Sequence, residues 1–162
     1  MSSTLERARE LHGKHIEPYL GAPLGCSAAE VAQLEDRLGV GIPDAYREFL
    51  LWMGKDETGI FKGSDCFHRH VEENTLYLPE LLEENGIVFR SPGRSLAFFL
   101  HQGYIAAWFQ VPTDDPDPMC WLFSEGSTDR PSKVGRFSEF LWNEMRGLAA
   151  VAPGIPYDDS AR

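Results

Sequence analysis

The chain of 162 residues has the length of one domain, and 43% apolar with 12% aromatic residues is enough to close one core, which excludes a disordered chain. Fifteen Lys and Arg against twenty-five Asp and Glu leave a net charge of −10, which repels phosphate backbones, disfavours nucleic-acid binding and favours a basic protein partner. Cys26, Cys66 and Cys120 are odd in number, widely spaced and without a CxxC pair, so they read as ordinary thiols rather than a disulfide framework or a common zinc signature.

The start, Met1 to Lys14, alternates charged and apolar residues and has no uninterrupted apolar stretch of the secretory kind. Leu96 to Val111 is the most apolar region, but His101, Gln102 and Gln110 interrupt it and it is too short to span a bilayer. The expectation is a cytoplasmic chain without a membrane segment.

Leu5, Ala8, Leu11, His15, Ile16 and Tyr19 recur at helical steps, with Pro18 expected to fray that helix and Gly21-Ala22-Pro23 to close it. Ser27 with Glu30 makes a capping box, Val31, Leu34 and Leu38 follow as an apolar stripe, and Gly39 is placed as a left-handed terminator. Asp44 is expected to cap a helix whose face is Tyr46, Phe49, Leu50 and Met53, and Gly54 to end it. Gly59 to Gly63 reads as a short strand between turns. Leu76 to Glu84 reads as a short helix with Pro79 in its first turn, stopped by Asn85-Gly86.

Three strands are then predicted: Leu96–Leu100, Tyr104–Val111 and Met119–Phe123. His101-Gln102-Gly103 is the turn between the first two, and a Pro/Asp loop joins the second to the third. Phe137, Phe140, Leu141, Met145 and Leu148 define a closing helix with Ser138 and Glu139 in its first turn. The predicted fold is α+β: one domain over residues 1–152 with N-terminal helices, a central antiparallel sheet and a C-terminal helix, followed by a loose tail over 153–162.

The segment from Glu30 to Leu51 resembles the N-terminal signature of the SUKH superfamily: a helix ending in Leu-Gly, an apolar-Pro step, then a Tyr-x-x-Phe-Leu helix. The matching residues are Glu35, Leu38, Gly39, Ile42, Pro43, Tyr46, Phe49 and Leu50. Phe98 to Tyr104 resembles the strand–turn–strand of one bacterial branch, Asp117 to Trp121 its next strand and Phe137 to Leu141 its closing helix. Met53-Gly54 stands where the family often has Asn-Gly, which points to a branch-specific member. The resemblance implies a single α+β domain that binds other proteins. In bacteria such domains look like immunity proteins that bind and neutralise a toxin, often a nuclease. In fungi a related domain occurs in regulators of cell-wall assembly, which is the alternative reading with a non-toxin partner. Neither implies a cofactor.

The sequence carries no catalytic constellation. GxSxG, P-loop and GxGxxG motifs are absent, so no enzymatic role is expected. Cys66, His68 and His70 alternate as residues on one strand face would, with Asp65 beside them, and form a weak metal candidate; no metal is expected. His101 could serve as a base but has no evident nucleophile, and its ring suits the turn or a binding surface better. Charge is uneven: Glu72, Glu73, Glu80, Glu83 and Glu84 lie in a stretch without Lys or Arg, and Asp114, Asp115 and Asp117 form a second group. The expected partner is a basic toxin domain held by acidic side chains around an aromatic centre. The acidic contacts expected are Asp56, Glu57, Asp65, Glu72, Glu73, Asp114 and Asp115. Trp52, expected to be exposed beside an inward-facing stripe, and Tyr104 are the anchors.

Overall fold

The computed structural model describes residues 3–126 and 130–151, so the tail assigned to 153–162 lies outside the described residues. The elements run α1 (Glu6–His15), α2 (Glu17–Leu20), α3 (Ala28–Leu38), α4 (Asp44–Met53), β1 (Ser64–Asp65), a 3-10 turn (His68–His70), α5 (Val71–Glu84), β2 (Arg94–His101), β3 (Ile105–Val111), β4 (Met119–Ser124), β5 (Ser132–Arg136) and α6 (Phe137–Val151). The strands form one antiparallel sheet in the order β1-β2-β3-β4-β5. Helices before and after an antiparallel sheet make this the α+β fold that the sequence implies.

The best-specified local unit is α3–α4. Ser27 Oγ accepts from the Glu30 amide at 3.2 Å and Glu30 Oε2 accepts from the Ser27 amide at 2.8 Å, completing the capping box. Gly39 ends α3 at φ 67°, where a side chain would be strained. Glu35 then fixes the connection. It accepts from the Ile42 amide at 2.9 Å and pairs with the Arg47 guanidinium. Burial works against its charge, but these two donors hold its carboxyl below the usual range.

The segment before α3 lies directly on α4: the Cys26 amide donates to the Leu50 carbonyl at 2.8 Å and the Lys55 amide to the Leu24 carbonyl at 2.9 Å. Contact is so close that a Cβ on Gly25 would stand 1.8 Å from the Leu51 carbonyl oxygen, and one on Gly54 would stand 2.7 Å from Cys26 Sγ. Gly54 has helical φ of −60°, so it is present for space, not to reverse the chain. Asp44 does not cap α4. Pro43 is the capping residue, and Asp44 is the first helical residue, with its charge in the first turn, where the helix dipole favours it. The Ala45 amide is satisfied instead by the Pro116 carbonyl at 2.8 Å, from the β3–β4 loop.

Three further expectations change, and one strand is added. The inward face of α1 is Leu5, Ala8 and His12 leading to Ile16, whereas Tyr19 is exposed; the chain breaks at Ile16 and Pro18 starts the separate turn α2. Residues 60–62 form turns, and the strand of this region is Ser64–Asp65, paired with His101 and Leu100. α5 begins at Val71, with Pro79 in its interior. Its buried stripe is Val71, Asn74, Leu78, Leu81 and Leu82, and the polar Asn74 hides the pattern because its Nδ2 donates to the Asp65 carbonyl at 2.7 Å. The added strand is β5, which pairs with β4 at the edge of the sheet.

The apolar run of β2 is resolved by a bulge. Ala97 pairs with Trp108 and Phe99 with Ala107, so Phe98 is the extra residue and both phenylalanines reach the same core. Leu96, Phe98, Phe99, Ala107, Phe109 and Cys120 pack against α1, α3, α4 and α6. Ala97, Ala106, Trp108 and Phe123 pack on the opposite face against Leu78, Leu81 and Leu82 of α5, with Ile87 and Phe89 closing beside them. The second sheet face is therefore covered by this chain itself. Gln102 at φ 50° and Gly103 at φ 79° make the tight turn between β2 and β3, where the Tyr104 amide donates to the His101 carbonyl at 3.1 Å.

Two stability results are expected. Ser27→Ala should cost about 1 kcal/mol through the lost cap, and Gly25→Ala about 1–3 kcal/mol through overpacking, both read by urea denaturation. Glu30 is held down to about 2, from an ordinary 4.5, chiefly by Lys55 and then by the Ser27 amide. Its contribution is present above 4.5 and is lost as pH falls from there towards about 2. Lys55→Met should flatten that acid limb, as measured by denaturation across the same pH range.

Candidate partner-binding surface

The residues expected to meet a partner fall into separate regions. Asp65 on β1 and Tyr104 at the β2–β3 turn lie near the same end of the sheet, since β1 pairs with the end of β2. Glu72 and Glu73 open α5. Asp114 and Asp115 lie beyond the far end of β3, about 20 Å away for a strand of this length. No single patch collects all of them.

Several are occupied by structural work. Asp56 is 2% exposed, and its Oδ2 accepts from the Thr58 amide at 3.0 Å and the Thr58 hydroxyl at 2.6 Å, so it is not a surface contact. Glu57 beside it is exposed. Glu72 pairs with Arg37 at 2.6 Å. Asp115 pairs with Arg136 at 2.9 Å, and Asp117 accepts from the Ser138 amide at 2.9 Å and hydroxyl at 2.6 Å, so the second acidic group ties the β3–β4 loop to the start of α6. Asp114 is exposed. Trp52 is half-buried: His12 meets its ring edge-on at 5.3 Å between centroids and the Arg9 guanidinium lies 4.8 Å over it. The exposed apolar residue there is Leu51. Tyr104 is exposed, its ring 6.0 Å from His101.

The outward side of α5 is the most coherent acidic surface. Glu73, Leu76, Glu80 and Glu83 recur at three- and four-residue steps and all are exposed, Leu76 to 81%. An exposed leucine ringed by carboxylates is the pattern of an apolar contact with a polar rim.

A second surface joins residues far apart in the sequence. A groove of about 530 Å³ crosses the turn end of the sheet beneath the C-terminal half of α6, lined by Phe99, His101, Ile105, Leu122, Phe140, Glu144 and Leu148. His101 Nδ1 shares a hydrogen bond of 2.8 Å with Ser64 Oγ, which orients the ring on one wall. Glu144 is half-buried on the other, and burial pushes its carboxyl up, with His101 as the opposing influence. The sequence carries a sign of this: Glu144 lies four residues after Phe140 and four before Leu148, on the apolar stripe of the helix.

Cys66, His68 and His70 do not converge. The strand ends at Asp65, Cys66 is buried with its thiol pushed far up by burial, and His68 and His70 lie in the 3-10 turn. His70 Nε2 faces Asp65 at 3.5 Å, and burial lowers its affinity for a proton. Among the described residues no group of His, Cys, Asp and Glu is arranged to hold a metal ion, and no helix is long and apolar enough to cross a membrane. Cys26, Cys66 and Cys120 are free and buried.

The family model described as "SMI1 / KNR4 family (SUKH-1)" matches residues 25–141. This span runs from the glycine that lies on α4 to the first turn of α6. No curated protein matches the chain.

The burial of Glu144 sets an expectation for stability. Its folded-state pKa lies above the ordinary 4.5, so the fold favours the protonated form; stability is greatest below 4.5 and declines as pH rises through the folded value. Glu144→Gln should raise the thermal midpoint at neutral pH and leave it unchanged at acid pH, as calorimetry at the two extremes will show.

Proposed function

The chain belongs to the SMI1 / KNR4 family (SUKH-1), and from that premise we propose that it is a protein-binding domain that acts as an immunity protein, neutralising a bacterial toxin by direct contact. The observation that carries this reading is charge. The chain has a net charge of −10, and the exposed side of α5 sets Glu73, Glu80 and Glu83 around Leu76. Such a surface attracts a basic protein and steers its approach, while apolar contacts limit its escape. A nuclease is the toxin class the charge favours, because a surface that binds nucleic acid is itself basic. Neutralisation needs no chemistry from this chain, only occlusion of the toxin's working surface.

The test is calorimetric titration of the chain with the toxin-like domains encoded near its gene, from about 50 mM to about 500 mM salt, where screening shortens from roughly 14 Å to 4 Å. One-to-one binding that weakens with salt is the expected result. Glu73→Lys combined with Glu80→Lys should weaken it by about tenfold or more, since reversal replaces attraction with repulsion. Absence of binding at low salt, with both proteins folded, would contradict the immunity reading and favour a regulatory domain of the cell-wall-assembly type with a non-toxin partner.

A further inference from the structure

A half-buried carboxylate on the wall of a groove that is apolar over most of its lining, with Lys62, Ser64, His101 and Asn143 as its other polar residues, calls for an explanation. Glu144 projects from α6 among Phe99, Phe140, Ile105, Leu122 and Leu148. Among the described residues no hydrogen bond or ion pair reaches it. His101, on the facing wall, already spends Nδ1 on Ser64 Oγ. Lys62 is exposed at the rim and forms no ion pair with Glu144. Removing a carboxylate from water with no ion pair to offset the cost is unfavourable, and His101 opposes that cost only in part. A lone carboxylate is too few ligands for a metal ion, and apolar walls this extended do not suit a small hydrated ion.

We propose that this groove receives a lysine or arginine side chain of the protein partner, its charged end on Glu144 and its methylene stem against Phe99, Phe140 and Leu148. The fit is chemical on both counts. Long basic side chains are apolar along the stem and charged at the tip, so they cover apolar surface while presenting a cation. A carboxylate already partly removed from water loses less further hydration when the cation arrives, and the pair then lies where salt screens it poorly. The net charge of −10 favours arrival of a basic protein at this groove as it does at α5. The inference rests on the protein-binding reading and adds to it one anchoring contact, at a place the acidic face of α5 does not include.

The test uses the full chain, labelled for NMR at its methyl groups, titrated with two short peptides. One carries a single arginine flanked by leucines; the other carries citrulline, which has the same shape without the charge. The arginine peptide should shift the Ile105, Leu122 and Leu148 methyls, and the citrulline peptide should bind at least about fivefold more weakly, the loss of roughly one charge-assisted contact. Glu144→Gln, which is expected to fold at least as well as the parent, should abolish the difference between the peptides. Equal binding of both peptides to the parent chain, or shifts confined to residues outside the groove, would overturn the proposal. So would shifts that appear on concentrating the chain alone, because the groove would then be the seat of a second copy. Titration of a toxin domain separates this proposal from the reading beneath it. If parent and Glu144→Gln bind that domain equally well, the groove contact is wrong and the partner-binding reading stands. A loss of about tenfold confined to the variant supports both.

Discussion

The fold depends on where the ring of Tyr46 is held. It is fully buried in α4, 6.0 Å from Phe49 of the same helix, 5.4 Å from Phe137 of α6, 5.5 Å from Phe109 of β3 and 6.2 Å from Phe98 of β2. Most of these contacts are edge-to-face or tilted, the arrangement that aromatic quadrupoles prefer. One side chain therefore joins the N-terminal helices, two adjacent strands and the closing helix. The Tyr-x-x-Phe-Leu pattern has a physical meaning in this light: the rings of Tyr46 and Phe49 enter that junction, Leu50 is buried in the same core, and Glu35 with Gly25 and Gly54 holds the helix in place.

The surfaces follow from this core. Because Phe98 is bulged, both Phe98 and Phe99 turn towards α6, and Phe140 meets them at 5.2 and 5.3 Å. That contact fills the sheet beneath the first half of α6. Beyond Phe140 the helix passes over the turn end of the sheet, where His101, Ile105 and Leu122 leave an open groove with Glu144 on its wall. The other sheet face is closed by α5, so the acidic side of that helix is turned outward. An interface built on either surface would meet a preorganised partner, which limits the ordering cost of association.

What could be read from the sequence was local. The capping box at Ser27, the terminator at Gly39, the buried stripe of α4 and the turn at Gln102-Gly103 all rest on residues within a few positions of one another. Features set by distant partners were hidden. β1 has only two residues and exists because His101 and Leu100 pair with it. Asn74 broke the apolar pattern of α5 because its partner is the Asp65 carbonyl. Among the site residues, exposure of Glu73 and Asp114 followed from charge alone. Asp56 looked like any surface acid, yet a turn at Thr58 draws it inside. Trp52 was expected to be exposed because its neighbours face inward, but Arg9 and His12 from α1 cover it. Glu144 is legible in principle, as an acid on an apolar stripe, but one carboxylate among twenty-five Asp and Glu does not stand out.

The most direct test of the account is protection in living cells. The chain and the toxin domain that it is proposed to neutralise would be expressed together, each under its own control, with growth measured as the chain is induced. The account predicts that the toxin alone arrests growth and that the parent chain restores it in proportion to its level. Growth arrest that persists with the folded chain present in excess of the toxin would contradict it.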